Sequence, residues 1–138
     1  LTSEGRKDTD AIVLGADTTV ALGCEALGKP STLDDAIEHL SRMSGRRHQV
    51  YSAVAIKGQA DAALLSQTSV WFRDLSRDEI HAYCRTMEPF DKAGSYAIQG
   101  LAAVFVERIE GSYSGVMGLP LFETACLLRD VGIRIPYR

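Results

Sequence analysis

The stretch IVLGADTTVALGCEALGKP, Ile12–Pro30, decides how the rest of the chain is read. Ala11 to Ala16 is a short apolar run bounded by turn residues, the composition of a buried strand. Thr19–Leu22 and Glu25–Leu27 flank Gly23-Cys24, which predicts a hairpin. Between them Asp17 breaks the apolar pattern, and Lys29 follows twelve residues later, directly before Pro30. A lone carboxylate where a buried strand meets a turn is costly unless it is paired, hydrogen-bonded or bound to metal. Residue types alone leave a structural ion pair or turn cap level with a functional role. Sites of function are where such local conflicts tend to fall. Carboxylate oxygens are the hard ligands that Mg²⁺ takes, and a carboxylate can act as general base toward water. Lys29, held before a rigid proline, offers a point charge suited to phosphate.

The periodicity on either side completes the fold. Ser31–Ser44 is predicted helical, with Ser31 or Thr32 as cap, Asp34 and Asp35 in the first turn, and an apolar stripe of Leu33, Ile37, Leu40 and Met43. Glu38 and Arg42 stand four apart on its wet side, and Gly45 supplies a left-handed exit. Gln49–Ile56 and Ala62–Phe72 read as two long strands joined through Lys57–Asp61. Leu75–Met87 reads as a helix, with a capping box at Ser76 and Glu79, a staple of Leu75 on Ile80, and a stripe of Ile80, Tyr83, Cys84 and Met87. Leu101–Ile109 is a further strand. Pro120 opens a last helix with Phe122, Cys126 and Leu127 facing inward and Gly132 near its end. Strands and helices without strict alternation, repeats or linkers predict one α/β or α+β domain around a mixed sheet.

The chain has 138 residues, 46% hydrophobic and 24% charged, enough for one compact domain with a sizeable core. No apolar run approaches a bilayer span, and the opening LTSEGRKDTD has no apolar signal core. A net charge of -3 disfavours a nucleic-acid surface. Cys24, Cys84 and Cys126 are odd in number and lack a CxxC pair, which predicts reduced thiols in a cytoplasmic protein rather than zinc ligands. His39, His48 and His81 share no metal-ligand spacing, and His39 and His81 fall in predicted helices.

Two other stretches resist a purely structural reading. In EPFDKAGSYAIQG, Glu88–Gly100, Asp91-Lys92 precede Ala93-Gly94-Ser95, where small residues permit close backbone approach and an anion-binding nest of N–H groups. Gln99 carries a donor and an acceptor, enough to read a base edge. In GSYSGVMGLPLFET, Gly111–Thr124, the glycines and proline shape a turn into the last helix, whose N-terminus can hold an anion. Two lysines, two aspartates and a glycine-rich loop are the inventory of a metal-assisted phosphate site. No P-loop or dinucleotide fingerprint is present.

LGADTTV…LGKP, SGRRHQVYSAVAI, EPFDKAGSYAIQG and GSYSGVMGLPLFET occur in this order and together resemble the Maf family of nucleoside triphosphate pyrophosphatases. The resemblance covers Ile12 to about Gly132. It implies a Maf/Ham1-like α/β fold, elongated, with a mixed twisted sheet flanked by helices and a cleft between two lobes. It implies hydrolysis of a nucleoside triphosphate at the α–β bond with a divalent cation, Mg²⁺ or Mn²⁺. By the same resemblance Asp17 is the proton acceptor and lies beside the metal. Lys29 and Lys92 face the phosphates, Thr18 and Gln99 mark substrate choice, and Asp91, Gly94 and Ser95 belong to the segment lining the cleft. The family often forms homodimers.

KAGSYAIQG resembles the branch acting on dTTP and UTP. The branch acting on 7-methyl-GTP more often has Cys-Ala-Gly and a Ser-Glu-Gly ending there. Two rivals stay open: a nucleotide-binding regulator of septum formation and cell division without turnover, and a purine house-cleaning pyrophosphatase for 7-methyl-GTP or ITP. The family normally opens with a Ser-x-Ser-Pro-Arg-Arg loop, an acidic segment and a further lysine. The sequence given is therefore expected to be a single Maf-like domain over 1–138 without that segment, and a weakened catalyst as it stands.

Overall fold

The computed structural model describes residues 12–58 and 61–133. In chain order they form β1 (Val13–Leu22), β2 (Glu25–Leu27), α1 (Leu33–Met43), β3 (Arg47–Lys57), β4 (Ala62–Phe72), α2 (Arg77–Cys84), β5 (Val106–Glu110), α3 (Tyr113–Met117) and α4 (Leu121–Asp130). Tight 3-10 turns at Glu88–Asp91, Ala93–Ser95 and Leu101–Phe105 lie between α2 and β5. The strands make one five-stranded sheet in the order β2-β1-β3-β4-β5. The expected α/β architecture of a sheet flanked by helices is present. Among the described residues every pairing is antiparallel rather than mixed, because β1–β2 and β3–β4 are hairpins and α1 returns the chain antiparallel to β1.

One face of the sheet carries the main core. Val20, Leu27, Leu40, Val70, Phe72 and Ile80 meet there with the 3-10 segments. A smaller cluster sets Leu127 of α4 against Val54 and Ile56 of β3. The hairpin at Gly23-Cys24 forms as predicted, with Gly23 at φ 63°, where glycine is favoured. Thr32 caps α1 by accepting the Asp35 N–H, and Ser76 and Glu79 make the predicted capping box.

Several local expectations are corrected. The first strand does not stop at Ala16: it runs unbroken to Leu22, so Asp17 is a mid-strand residue. Nor is it buried at its start, since Val13 is 52% exposed. Ala11, Gln59 and Ala60 lie outside the described residues. In α1, Leu33 is exposed and Ala36 takes its place against the core. Arg42 reaches across to Glu25 of β2 instead of pairing with Glu38, because the hairpin lies beside the helix. α2 ends at Cys84, and Met87, with φ 71°, leaves the stripe for solvent. Leu101–Phe105 coils instead of extending: Ala102 and Phe105 are buried while Leu101 and Val104 are exposed, a period of three that suits a 3-10 turn. In α4, Phe122 points outward, and Thr124 and Leu127 face the sheet at the same three-residue spacing.

Candidate functional site

A cavity of about 290 Å³ opens where β1, the turn after β2, the 91–96 segment and α3 converge. Asp17, Thr18, Lys29, Asp91 and Lys92, five residues singled out from sequence, all line it. The chain brings them together by traceable steps. Val20 pairs with Leu27 in the β1–β2 hairpin, which returns Lys29 to the side of β1. The Gly94 N–H donates to the Gly28 carbonyl at 3.1 Å, tying the Lys92 segment to the residue before Lys29. Gly94 sits at φ 75°, and a Cβ there would lie 2.8 Å from Val20 Cγ1. A side chain at position 94 would therefore push the segment off β1 and draw Lys92 away from Lys29.

The charges at this mouth are lightly committed. Asp17 is exposed and accepts only the Thr18 N–H at 3.0 Å among the described hydrogen bonds. Lys29 is exposed, and Lys92 lies 3.4 Å from Asp91, whose side chain is 78% exposed. Two carboxylates and two ammonium groups thus face one space, an arrangement that can hold a polyanion and a cation together. Among the described residues no group of three or more His, Cys, Asp or Glu is placed to hold a metal ion by itself.

The remaining sequence-derived candidates lie elsewhere. Gly94 and Ser95 are buried behind the wall, while Ala93 and Tyr96 line it. Their amides are not a free nest: the Gly94 N–H serves Gly28 and the Ser95 N–H serves the Lys92 carbonyl at 3.1 Å. The two residues are structural here, closing the loop that presents Lys92. Gln99 is exposed beyond Ile98 and is not among the lining residues.

The wall includes residues that sequence reading passed over: Val50, Tyr96, Val116 and Met117. Behind it, the His48 Nε2 and Tyr96 hydroxyl are 2.6 Å apart, and both rings pack edge-on against Phe72. Burial pushes the His48 imidazole down from its ordinary 6.5 to about 4, so the ring is neutral near pH 7, and burial raises the Tyr96 phenol. His39 Nδ1 lies 2.7 Å from Ser95 Oγ. Two imidazoles from α1 and β3 therefore hold consecutive hydroxyls of the loop that carries Asp91 and Lys92. On β3 one further polar residue stands out. Val50, Ser52, Val54 and Ile56 share the inward face, and Ser52 is the hydroxyl among them, a break in alternation visible in the sequence.

Residues 2–131 match the family described as Maf-like protein. The chain is 56% identical over 124 residues, 89% of its length, to a dTTP/UTP pyrophosphatase of Nitrosomonas europaea, of which those residues cover 60%. It is 55% identical over 128 residues to a dTTP/UTP pyrophosphatase of Methylobacillus flagellatus, covering 92% of this chain and 64% of that protein. A dTTP/UTP pyrophosphatase of Burkholderia orbicola is 57% identical over 127 residues, covering 89% and 60%. The chain thus spans about 60% of the length of these relatives.

Proposed function

The chain belongs to the Maf family, and from that premise we propose that it acts as a pyrophosphatase on dTTP and UTP, releasing the monophosphate and pyrophosphate. The convergence of Asp17, Thr18, Lys29, Asp91 and Lys92 on one cavity carries this reading. The names of the relatives supply the choice of nucleotide.

Asp17 takes a proton from water, and the oxygen so freed attacks the α-phosphorus. The α–β bridging oxygen leaves with pyrophosphate. Lys29 and Lys92 face the charge that gathers there, and their placement before the substrate arrives spares the site reorganisation during the step. Asp91 holds the Lys92 ammonium close without neutralising it fully, since both remain open to solvent. The donor set fits a Mg²⁺ or Mn²⁺ ion, which is commonly bound by one or two carboxylates plus substrate phosphates; Asp17 and Asp91 would hold it. When bound, such an ion supplies charge neutralisation on the phosphate oxygens. Tyr96, Val50, Val116 and Met117 offer an apolar wall for the base or sugar. Gln99, outside that wall, is assigned to base choice by the family pattern alone, and Gln99→Glu with an unchanged nucleotide profile removes it.

Incubation with each common nucleoside triphosphate and Mg²⁺, with pyrophosphate as the readout, tests the whole reading. Release from dTTP and UTP is expected. Binding without release points instead to a nucleotide-sensing regulator, and release from purine nucleotides to the house-cleaning alternative. The cytoplasm is the location proposed, which suits three free cysteines, Cys24, Cys84 and Cys126.

A further inference from the structure

Ser52 does not line the cavity, yet it determines what Thr18 can offer there. Ser52 is 1% exposed. It faces Thr18 across the β1–β3 pairing, and the two hydroxyl oxygens are 3.1 Å apart. The Ser52 hydroxyl also meets the carbonyl oxygen of Gly115 in α3. A carbonyl has no proton to give, so Ser52 must be the donor in that contact, and a serine hydroxyl has one proton. Reversal would set lone pair against lone pair. Ser52 therefore meets Thr18 as an acceptor, and the Thr18 proton is committed to Ser52. Thr18 has only lone pairs left for whatever enters the cavity.

Packing maintains this polarity. Gly115 is buried, and a Cβ on it would lie 2.8 Å from Ser66 Oγ, so glycine lets α3 settle close enough for its carbonyl to reach Ser52. The same carbonyl shares the Gly118 N–H with the Ser114 carbonyl, each at 3.1 Å, which engages its second lone pair. The Gly115 end of the relay is therefore anchored in backbone.

We propose that the Ser52–Gly115 contact is a specificity device: it locks Thr18 as a hydrogen-bond acceptor, so that the cavity selects a base presenting a donor at that point, the ring imide N–H of uracil or thymine. Cytosine carries a bare acceptor nitrogen at the same ring position and meets Thr18 lone pair to lone pair. Ser52 is a positioning residue acting through Thr18. The inference rests on the pyrimidine-triphosphate reading above and extends it from a substrate class to the atom that is read.

The test measures binding by calorimetry with Mg²⁺ and α,β-methylene analogues of UTP, CTP and N3-methyl-UTP, so that turnover does not interfere. The wild-type protein is expected to prefer the UTP analogue about tenfold or more over the other two, the scale of one unpaired polar contact. Ser52→Ala frees the Thr18 proton and should bring the UTP-to-CTP ratio down about tenfold, whereas Ser52→Thr, which keeps the hydroxyl, should retain it. If Ser52→Ala does not fold, Ser52→Cys, a weaker donor of similar size, should give an intermediate ratio. Equal binding of the UTP and N3-methyl-UTP analogues overturns the proposal, and so does a wild-type ratio in Ser52→Ala or Ser52→Cys. Selective binding of UTP without pyrophosphate release leaves the relay standing and removes the enzymatic reading. Turnover of UTP and CTP at equal efficiency does the reverse. Binding of no pyrimidine nucleotide at all removes both.

Discussion

At the mouth of the cavity, Asp17 and Lys29 are exposed and, among the described residues, Lys92 has only the loose Asp91 pair, whereas a few residues deeper His48, Tyr96 and Phe72 are almost fully enclosed. The two regions share a segment of chain but are held by opposite means. The mouth is placed by backbone: a hairpin, one hydrogen bond from the Gly94 N–H to the Gly28 carbonyl, and a glycine pressed on Val20. The floor is placed by side chains, with three rings at edge-on angles and a histidine–tyrosine hydrogen bond. Charges proposed to engage a ligand are left under-partnered, while beneath them His48 Nε2 and the Tyr96 hydroxyl satisfy one another, although the buried His48 Nδ1 has no partner among the described residues. Substitutions at the mouth should thus alter chemistry with little loss of stability, and substitutions in the floor should do the reverse.

The largest effect is expected at the mouth. Asp17→Asn should slow pyrophosphate release by about 10²–10⁴-fold, the range for losing a general base. Because Asp17 is exposed and contributes no packing, the thermal midpoint should stay within a few degrees of wild type. A large drop in midpoint would show that Asp17 belongs with the floor and not with the mouth.

The floor should reveal itself through pH. His48 is neutral when folded because its pKa falls from 6.5 to about 4 on burial. Above pH 6.5 both folded and unfolded chains leave it unprotonated, and its contribution to stability is fully present. As pH falls below 6.5 the unfolded chain takes up a proton first, so stability declines until the folded pKa is passed near 4. The shift amounts to about 3 kcal/mol over that window. His48→Gln, which can still reach Tyr96, should flatten the decline between pH 6.5 and 4 in denaturant titrations. The separate loss at lower pH, where Glu79 is held down to about 2 by Arg73, should remain. An unchanged slope between 6.5 and 4 would show that His48 is not enclosed as described.

Gly94 joins the two regions and should affect both. Gly94→Ala places a Cβ 2.8 Å from Val20 at a φ of 75°. A cost of about 2 kcal/mol is expected from the strained backbone and the clash. Because Lys92 rides on the same segment, KM for UTP should rise more than kcat falls. Loss of stability with KM intact would separate the loop from the mouth.

What the sequence disclosed follows the same division. At the mouth, Asp17 stood out as a carboxylate in an apolar run and Lys29 as a cation held before proline, but residue types alone left their use open; the family resemblance singled them out together with Thr18, Asp91 and Lys92, and the five line one cavity. The hairpin, the two capped helices and the long β3–β4 pair were legible because turn glycines, caps and two-residue alternation act locally. The floor was not. His48 shows no spacing that announces Tyr96, 48 residues away, and Ser52 none that announces Gly115, 63 residues away. Such contacts are set by how the sheet registers and where the 3-10 turns run. Those turns were themselves misread at Leu101–Phe105, since exposed Leu101 and Val104 make an apolar run that imitates a strand. Gly94 and Ser95 looked like a phosphate nest for a similar reason: the residue types permit one, and only the tertiary partners of their amides reveal the other use.

The smallest effect is expected away from both regions, at the start of α1. Thr32 accepts the Asp35 N–H at 3.1 Å, and the Ser31 N–H donates to Asp35 at 3.0 Å, a reciprocal cap. Thr32→Ala should cost about 1 kcal/mol by leaving one end amide unpaired. α1 also carries His39, whose ring lies 2.7 Å from Ser95, so fraying of the helix could reach the loop behind the mouth. His39 sits in the second turn, however, with Ala36 and Leu40 buried on either side of it, and loss of a cap is confined to the first turn. KM for UTP should therefore match wild type while the thermal midpoint falls by a few degrees. A raised KM in Thr32→Ala would mean that the loop depends on the whole of α1, and the boundary between a backbone-held mouth and a side-chain-held floor would have to be moved to include it.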